Sequence, residues 1–152
     1  MKESDFNGFY RPDNKWLLLD TPSVPGLASQ LKKRFPRTRC YELFADTEMH
    51  LIRKQGPLLV SLRPDDPFNV VCESETAAWP GLTIFCSAPK NELLAHLRRM
   101  LTVRFSDHYK SLITYYNAQT ASYFFDSMDV QALSRWLGPI DSISWVGGTW
   151  AD

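Results

Sequence analysis

Between Leu93 and Phe105 the apolar pattern changes period without punctuation. Leu93, Leu94, Leu97 and Leu101 recur at helical spacing, and Val103 and Phe105 then alternate with Thr102 and Arg104. Neither Gly nor Pro separates the two patterns. A 3.6-residue period buries one stripe of a helix, and a 2-residue period buries one face of a strand. The stretch therefore predicts a helix that runs almost directly into a strand, with Arg98, Arg99 and Arg104 around the junction. Such a cluster is compatible with a nucleic-acid contact, part of an active site, or a plain helix-strand joint.

The same alternation runs through most of the chain. "KWLLLD" (15–20) is an apolar run of strand length, followed by helix-start signals at Asp20, Thr21 and Ser23. Leu27, Leu31 and Phe35 mark a helical face that Pro36 ends. "LFADTEMHLIRKQG" (43–56) reads as a helix, capped by Asp46 or Thr47 and stopped by Gly56. Further strands are expected at 57–62, 82–88 and 101–105, with a short helix from Pro67 and a longer one from Pro89 to Met100. "SLITYY" (111–116) reads as the antiparallel partner of 101–105. Two helices follow, separated near Met128, with Asp129 as a cap and Gly138-Pro139 as a stop. A last strand is expected at 141–146. The pattern predicts a single α/β domain: a mixed β-sheet with flanking helices, then a C-terminal hairpin plus two helices. The expected organisation is a lead-in over 1–14, the domain over 15–146 and a loose tail over 147–152.

Size and charge narrow the function classes. The chain has 152 residues, about one domain, and can bury a core without disulfides or metal. Lys plus Arg and Asp plus Glu both number 17, so no global field attracts nucleic acid or acidic lipid. The three cysteines, Cys40, Cys72 and Cys86, are widely spaced, which suits reduced thiols in a cytoplasmic protein. The N-terminus lacks the apolar core of a signal peptide, and no apolar run reaches membrane-helix length.

Several residues have the right chemistry for a site, each with a plainer explanation beside it. "LKKRFPRTRC" (31–40) carries Lys32, Lys33, Arg34, Arg37 and Arg39, with Phe35 able to stack, and could touch phosphates. A solvated helix end, where cations are favoured, explains the same residues. His50, His96 and His108 share no ligand spacing with each other or with Cys or Asp, so no metal is expected. Asp107-His108 could be half of a triad, but turns favour Asp for backbone reasons. The pairs Asp65-Asp66 and Glu73/Glu75 lie on a turn and a polar helix end, too solvated for acid-base work. No nucleophile elbow, phosphate loop or dinucleotide motif is present. "ITYYNAQTASYFF" (113–125) has more aromatic surface than one strand face and one helix face absorb. Core packing accounts for most of it and leaves a residue or two for a partner. Strand alternation puts Ile113 and Tyr115 on one face and Leu112, Thr114 and Tyr116 on the other, and leaves open which of the two faces outward.

The C-terminal half, "HLRRMLTVRF…LITYYNAQTASYFFDSMDVQALSRWLGPI", resembles the adaptor or chaperone domain of bacterial type VI secretion, domain of unknown function 4123. That family shows a His-Leu-Arg-Arg-like helix end, a Leu-Thr-Val-Arg strand, Asp-Pro-Arg opening a helix, and a Phe-Gly-Pro stop. "KWLLLD" and "LFAD…GPLLVSL" are similar to its opening units, so the resemblance covers about 15–146. The chain departs where the family has Arg and then Asp-Pro-Arg: here stand Thr114 and Asn117-Ala118-Gln119. Charged members are replaced together by neutral ones, which argues against chemistry at that place.

The resemblance implies a non-enzymatic cytoplasmic adaptor that binds a toxic effector and helps load it onto the spike protein VgrG or its tip. It implies no cofactor, and neither a nucleic-acid nor a membrane partner. On this reading Tyr115, Tyr116, Tyr123 and Trp136 are the candidate protein-binding residues, with Arg104 facing a partner or pairing across the hairpin. The alternatives are a nucleic-acid module built on 32–39 and a hydrolase using Asp107-His108 with a cysteine.

Overall fold

The unbroken apolar run after Lys15 is a strand buried on both faces. In β1 (Lys15–Leu19), Trp16 and Leu18 belong to one apolar cluster, and Leu17 and Leu19 belong to the other. The computed structural model describes residues 14–146 and 148–151, the last four and Phe105 as backbone only. The lead-in expected over 1–14 lies, but for Asn14, outside the described residues.

β1 sits between β3 (Leu58–Ser61) and β4 (Gly81–Phe85), with Leu18 opposite both Leu59 and Leu82. β2 (Cys40–Glu42) pairs outside β3, and β7 (Ser142–Trp145) outside β4. β8 (Gly148–Ala151) adds beyond β7. The order is β2-β3-β1-β4-β7-β8, and the described ladders are antiparallel. Full burial of each of Leu17, Leu18 and Leu19 is worth about 1.5–3 kcal/mol relative to exposure.

Helices cover both faces. On one side, α1 (Leu27–Arg34) and α2 (Pro67–Ser74) bring Leu27, Leu31, Phe68 and Cys72 onto Leu17, Leu19, Leu58 and Val60. On the other, α3 (Lys90–Arg99), α4 (Ala118–Asp126) and α5 (Val130–Leu137) pack Leu93, Leu97, Phe125 and Trp136 over Leu18, Leu59 and Ile84. The helix starts follow the expected chemistry at two caps: Asp66 accepts from the Phe68 amide, and Asp129 from the Ala132 amide. A separate hairpin, β5 (Thr102–Ser106) with β6 (Tyr109–Leu112), stands after α3. The predicted α/β domain, with flanking helices and a C-terminal hairpin plus two helices, is the observed fold; in the sheet expected to be mixed, the described ladders are all antiparallel.

Four local readings are corrected. The helix expected over 43–56 is a turn followed by a kinked 3-10 segment, His50–Gln55. Asp46 adopts φ +59°, which no helix continues, and Thr47 Oγ1 accepts from the Met49 amide. The strand β2 was hidden in the basic stretch and its continuation. The hairpin strand stops at Leu112 rather than Tyr116. Finally, within the tail expected to be loose, Gly148–Ala151 pairs with β7, whose outer edge offers backbone groups that an extended segment satisfies.

Candidate functional site

The aromatic segment divides sharply. Because the chain leaves the ladder at Leu112, Tyr115 and Tyr116 are freed from strand alternation and both turn inward. Tyr115 is fully buried, and its hydroxyl donates to the Leu97 carbonyl at 2.6 Å. Tyr116 is 4% exposed and Trp136 is 9% exposed. Trp136 stacks edge-on against Tyr115 and Phe125, with ring centroids 4.9 and 4.8 Å away. Burial raises both tyrosine hydroxyls, Tyr116 to about 12, with the nearby Asp20 carboxylate adding to the effect. Tyr115, Tyr116 and Trp136 are therefore core, and their expected place on a partner surface is corrected. Tyr123, on the opposite side of α4 from the buried Ala121 and Phe125, is 74% exposed. Arg104 is exposed on β5, but its cross-strand neighbour is Lys110, a second cation. The residue directly opposite is thus not an anion, and Lys110 meets Glu48.

The positions where charged residues are replaced by neutral ones form a joint. Asn117 caps α4: its Oδ1 accepts from the Gln119 and Thr120 amides at 3.0 and 3.1 Å. Its Nδ2 donates to Asp20 Oδ2 at 3.0 Å, and Ser23 Oγ donates to the same oxygen. Asp20 is buried at the end of β1, so this contact ties the sheet to the helix across 97 residues of sequence. The α3 terminus is clasped similarly. Arg98 is half-buried rather than solvated, donating from Nε to the Leu43 carbonyl at 3.1 Å and from Nη2 to the Glu42 carbonyl at 3.0 Å. The arginine junction is a structural joint, and Arg98 is part of its mechanism.

The basic stretch lines a cavity. The starts of β1 and β2 and the ends of β3 and β4 meet at one rim of the sheet. Ser61 N–H donates to the Arg39 carbonyl, and Cys86 N–H to the Asn14 carbonyl. A cleft of about 800 Å³ is walled by Arg34, Arg37, Arg39, Arg63, Asp65 and Asp66. A second, of about 560 Å³, continues from Arg39, Ser61 and Arg63 to Asn14, Trp16, Tyr41 and Lys90. The shared residues make one trough. Arg34 is engaged, lying over Trp79 at 5.7 Å and pairing with Glu75 at 3.7 Å. Lys90 lies over the Tyr41 ring at 4.3 Å. Asp66 is occupied by Thr38 and by its own helix cap. Arg37 and Arg39 are exposed and have no ion pair among the described residues. Lys32 and Lys33 lie outside the trough lining. Sequence reasoning found the arginines of 34–39 but missed Asn14, Trp16, Tyr41, Arg63 and Lys90. Their only common property is a place at one end of neighbouring strands, legible once the register is known.

The remaining chemical candidates are separated. Cys72 and Cys86 are buried, and burial raises all three thiols, Cys40 and Cys72 to about 11, which keeps them protonated at neutral pH. Asp107 and His108 are exposed in the hairpin turn. Glu73 pairs with Lys15 at 2.8 Å. His96 is buried and donates from Nε2 to the Trp136 carbonyl at 2.7 Å; burial lowers its pKa and keeps it neutral. No group of three metal-ligating side chains gathers among the described residues, and no described helix is long and apolar enough to cross a membrane.

The comparison with known families covers strands β1 to β4 of the sheet, while β7 and β8 lie beyond it. A family model described as "Domain of unknown function (DUF4123)" matches residues 15–135, from the first residue of β1 into α5. No curated protein and no solved structure matches the chain.

Proposed function

Since the chain belongs to the DUF4123 family, we propose that it is a non-enzymatic cytoplasmic adaptor, binding a secreted toxic effector and assisting its loading onto the VgrG spike of a type VI secretion system. The observation that carries this reading is the match over residues 15–135, which covers strands β1 to β4 and helices on both faces of the sheet. The motif likeness, from "HLRRMLTVRF" to Gly138-Pro139, supports the same role. Protonated thiols and scattered histidines give no support to the hydrolase alternative. Tyr123 on α4 and Arg104 on β5 remain the candidate partner contacts from the original set, both being exposed.

A secretion assay in the native cell tests the role. Removing the chain should stop export of one effector while VgrG and unrelated effectors continue to leave the cell. Unchanged export of every effector would overturn the proposal.

A further inference from the structure

We infer that the trough at the strand ends binds an extended, carboxylate-bearing peptide segment of a partner protein; this rests on the adaptor reading only in naming that partner as the effector. Charge is the first argument. Five cations, Arg34, Arg37, Arg39, Arg63 and Lys90, face two carboxylates, Asp65 and Asp66, around the two joined clefts, and Arg63 already pairs with Asp65 at 3.9 Å. Asp66 is already bound within the fold, while Arg37 and Arg39 have no ion pair among the described residues. Arginine presents a planar fork that suits a carboxylate.

The second argument is polar and independent. Asn14 lines the trough, is 3% exposed, and has no hydrogen-bond partner for Nδ2 or Oδ1 among the described residues. The Trp16 Nε1 beside it is in the same condition. Buried polar groups are almost always satisfied, so an unpaired amide beside a cavity calls for a ligand that supplies both a donor and an acceptor. A peptide group supplies both. The third is backbone. β2 is the outermost strand on this side, and an outermost strand can accept an added one. Tyr41 and Trp16, with ring centroids 6.4 Å apart, give the aromatic floor that peptide side chains favour.

These features favour peptide over nucleic acid. Asp65 and Asp66 stand in the wall where a continuous phosphate chain would pass, and the chain as a whole has no net charge to hold one.

The experiment uses the full chain and fluorescence anisotropy with three labelled probes: an alternating Glu-Val peptide, its Lys-Val counterpart and oligothymidylate. The Glu-Val peptide should bind and the Lys-Val peptide should not. The double substitution Arg37→Glu, Arg39→Glu should weaken binding at least tenfold, the equivalent of about 1.4 kcal/mol, with melting unchanged because both side chains are exposed. Lys90→Glu, at the far end, should weaken it as well if one peptide spans both clefts. Absence of Glu-Val binding overturns the inference, as does oligothymidylate binding more tightly through the same arginines. Capture of the identified effector separates the two claims. Full capture by the double variant overturns the trough and leaves the adaptor role standing. Glu-Val binding without capture of any effector by the unmodified chain supports the trough and removes the adaptor role.

Discussion

At the residue scale, Gly138 shows how a correct reading can rest on an incomplete reason. Gly-Pro was expected to stop α5, and it does. The backbone, however, has φ +54° and ψ −116°, a region open to glycine rather than the left-handed helical cap. A Cβ there would stand 2.6 Å from His96 Cε1. Gly138→Val should therefore destabilise the fold by about 2–4 kcal/mol, combining backbone strain with overpacking, as read by urea denaturation. The tyrosines make a complementary pair of predictions. Tyr116→Ala should cost about 3 kcal/mol because it empties a core site. Tyr123→Ala, at an exposed site, should change stability by less than about 0.5 kcal/mol. Equal losses would show that the inward turn after Leu112 is wrong. The sequence carried the aromatic excess but not its direction, because alternation predicts direction only while a ladder continues.

At the element scale, what repeated at a fixed period was legible. β1, β3, β4, α1 and α3 announce themselves through apolar spacing, α2 through Pro67 and α5 through its Asp129 cap. The segment at 43–56 was misread because its apolar residues mimic a helical stripe, while Asp46 and Thr47 redirect the backbone locally. The trough was half legible for a different reason: a sheet rim gathers residues from strands far apart in sequence. The α4 joint also shows what replacement of the family's charges can mean here. Asn117→Ala should remove the cap and the donor to Asp20 together, costing about 2 kcal/mol. Asn117→Asp should keep the cap but set a second carboxylate against Asp20. We expect a loss similar to that of Asn117→Ala at neutral pH, read by urea denaturation, because two carboxylates would share one site. A wild-type denaturation midpoint for Asn117→Asp would contradict this assignment of the joint.

At the scale of the whole molecule, buried titratable groups set the pH range of the fold. Burial, aided by the nearby Arg99 charge, lowers His96 below its ordinary value of 6.5. The unfolded chain then binds a proton that the folded chain refuses. Stability is therefore full above about pH 6.5 and falls as pH drops below it, by at most about 1.4 kcal/mol per unit until the folded value is reached. The buried thiols act at the other end. Cys40 and Cys72 hold their protons up to about 11 in the fold, above the ordinary 9.0, so stability also falls as pH rises past 9. Denaturation midpoints across this range should trace a plateau between the two, and His96→Gln should flatten the acid side.

The sheet is covered by helices on both faces, and the central proposal is that its work is to hold another protein. The most direct measurement is native co-purification through the intact chain, with identification and quantification of what is bound. The account predicts one secreted effector in near-stoichiometric amount, released or weakened by the Arg37→Glu, Arg39→Glu pair. Recovery of nucleic acid in its place, lost with that same pair, would contradict it.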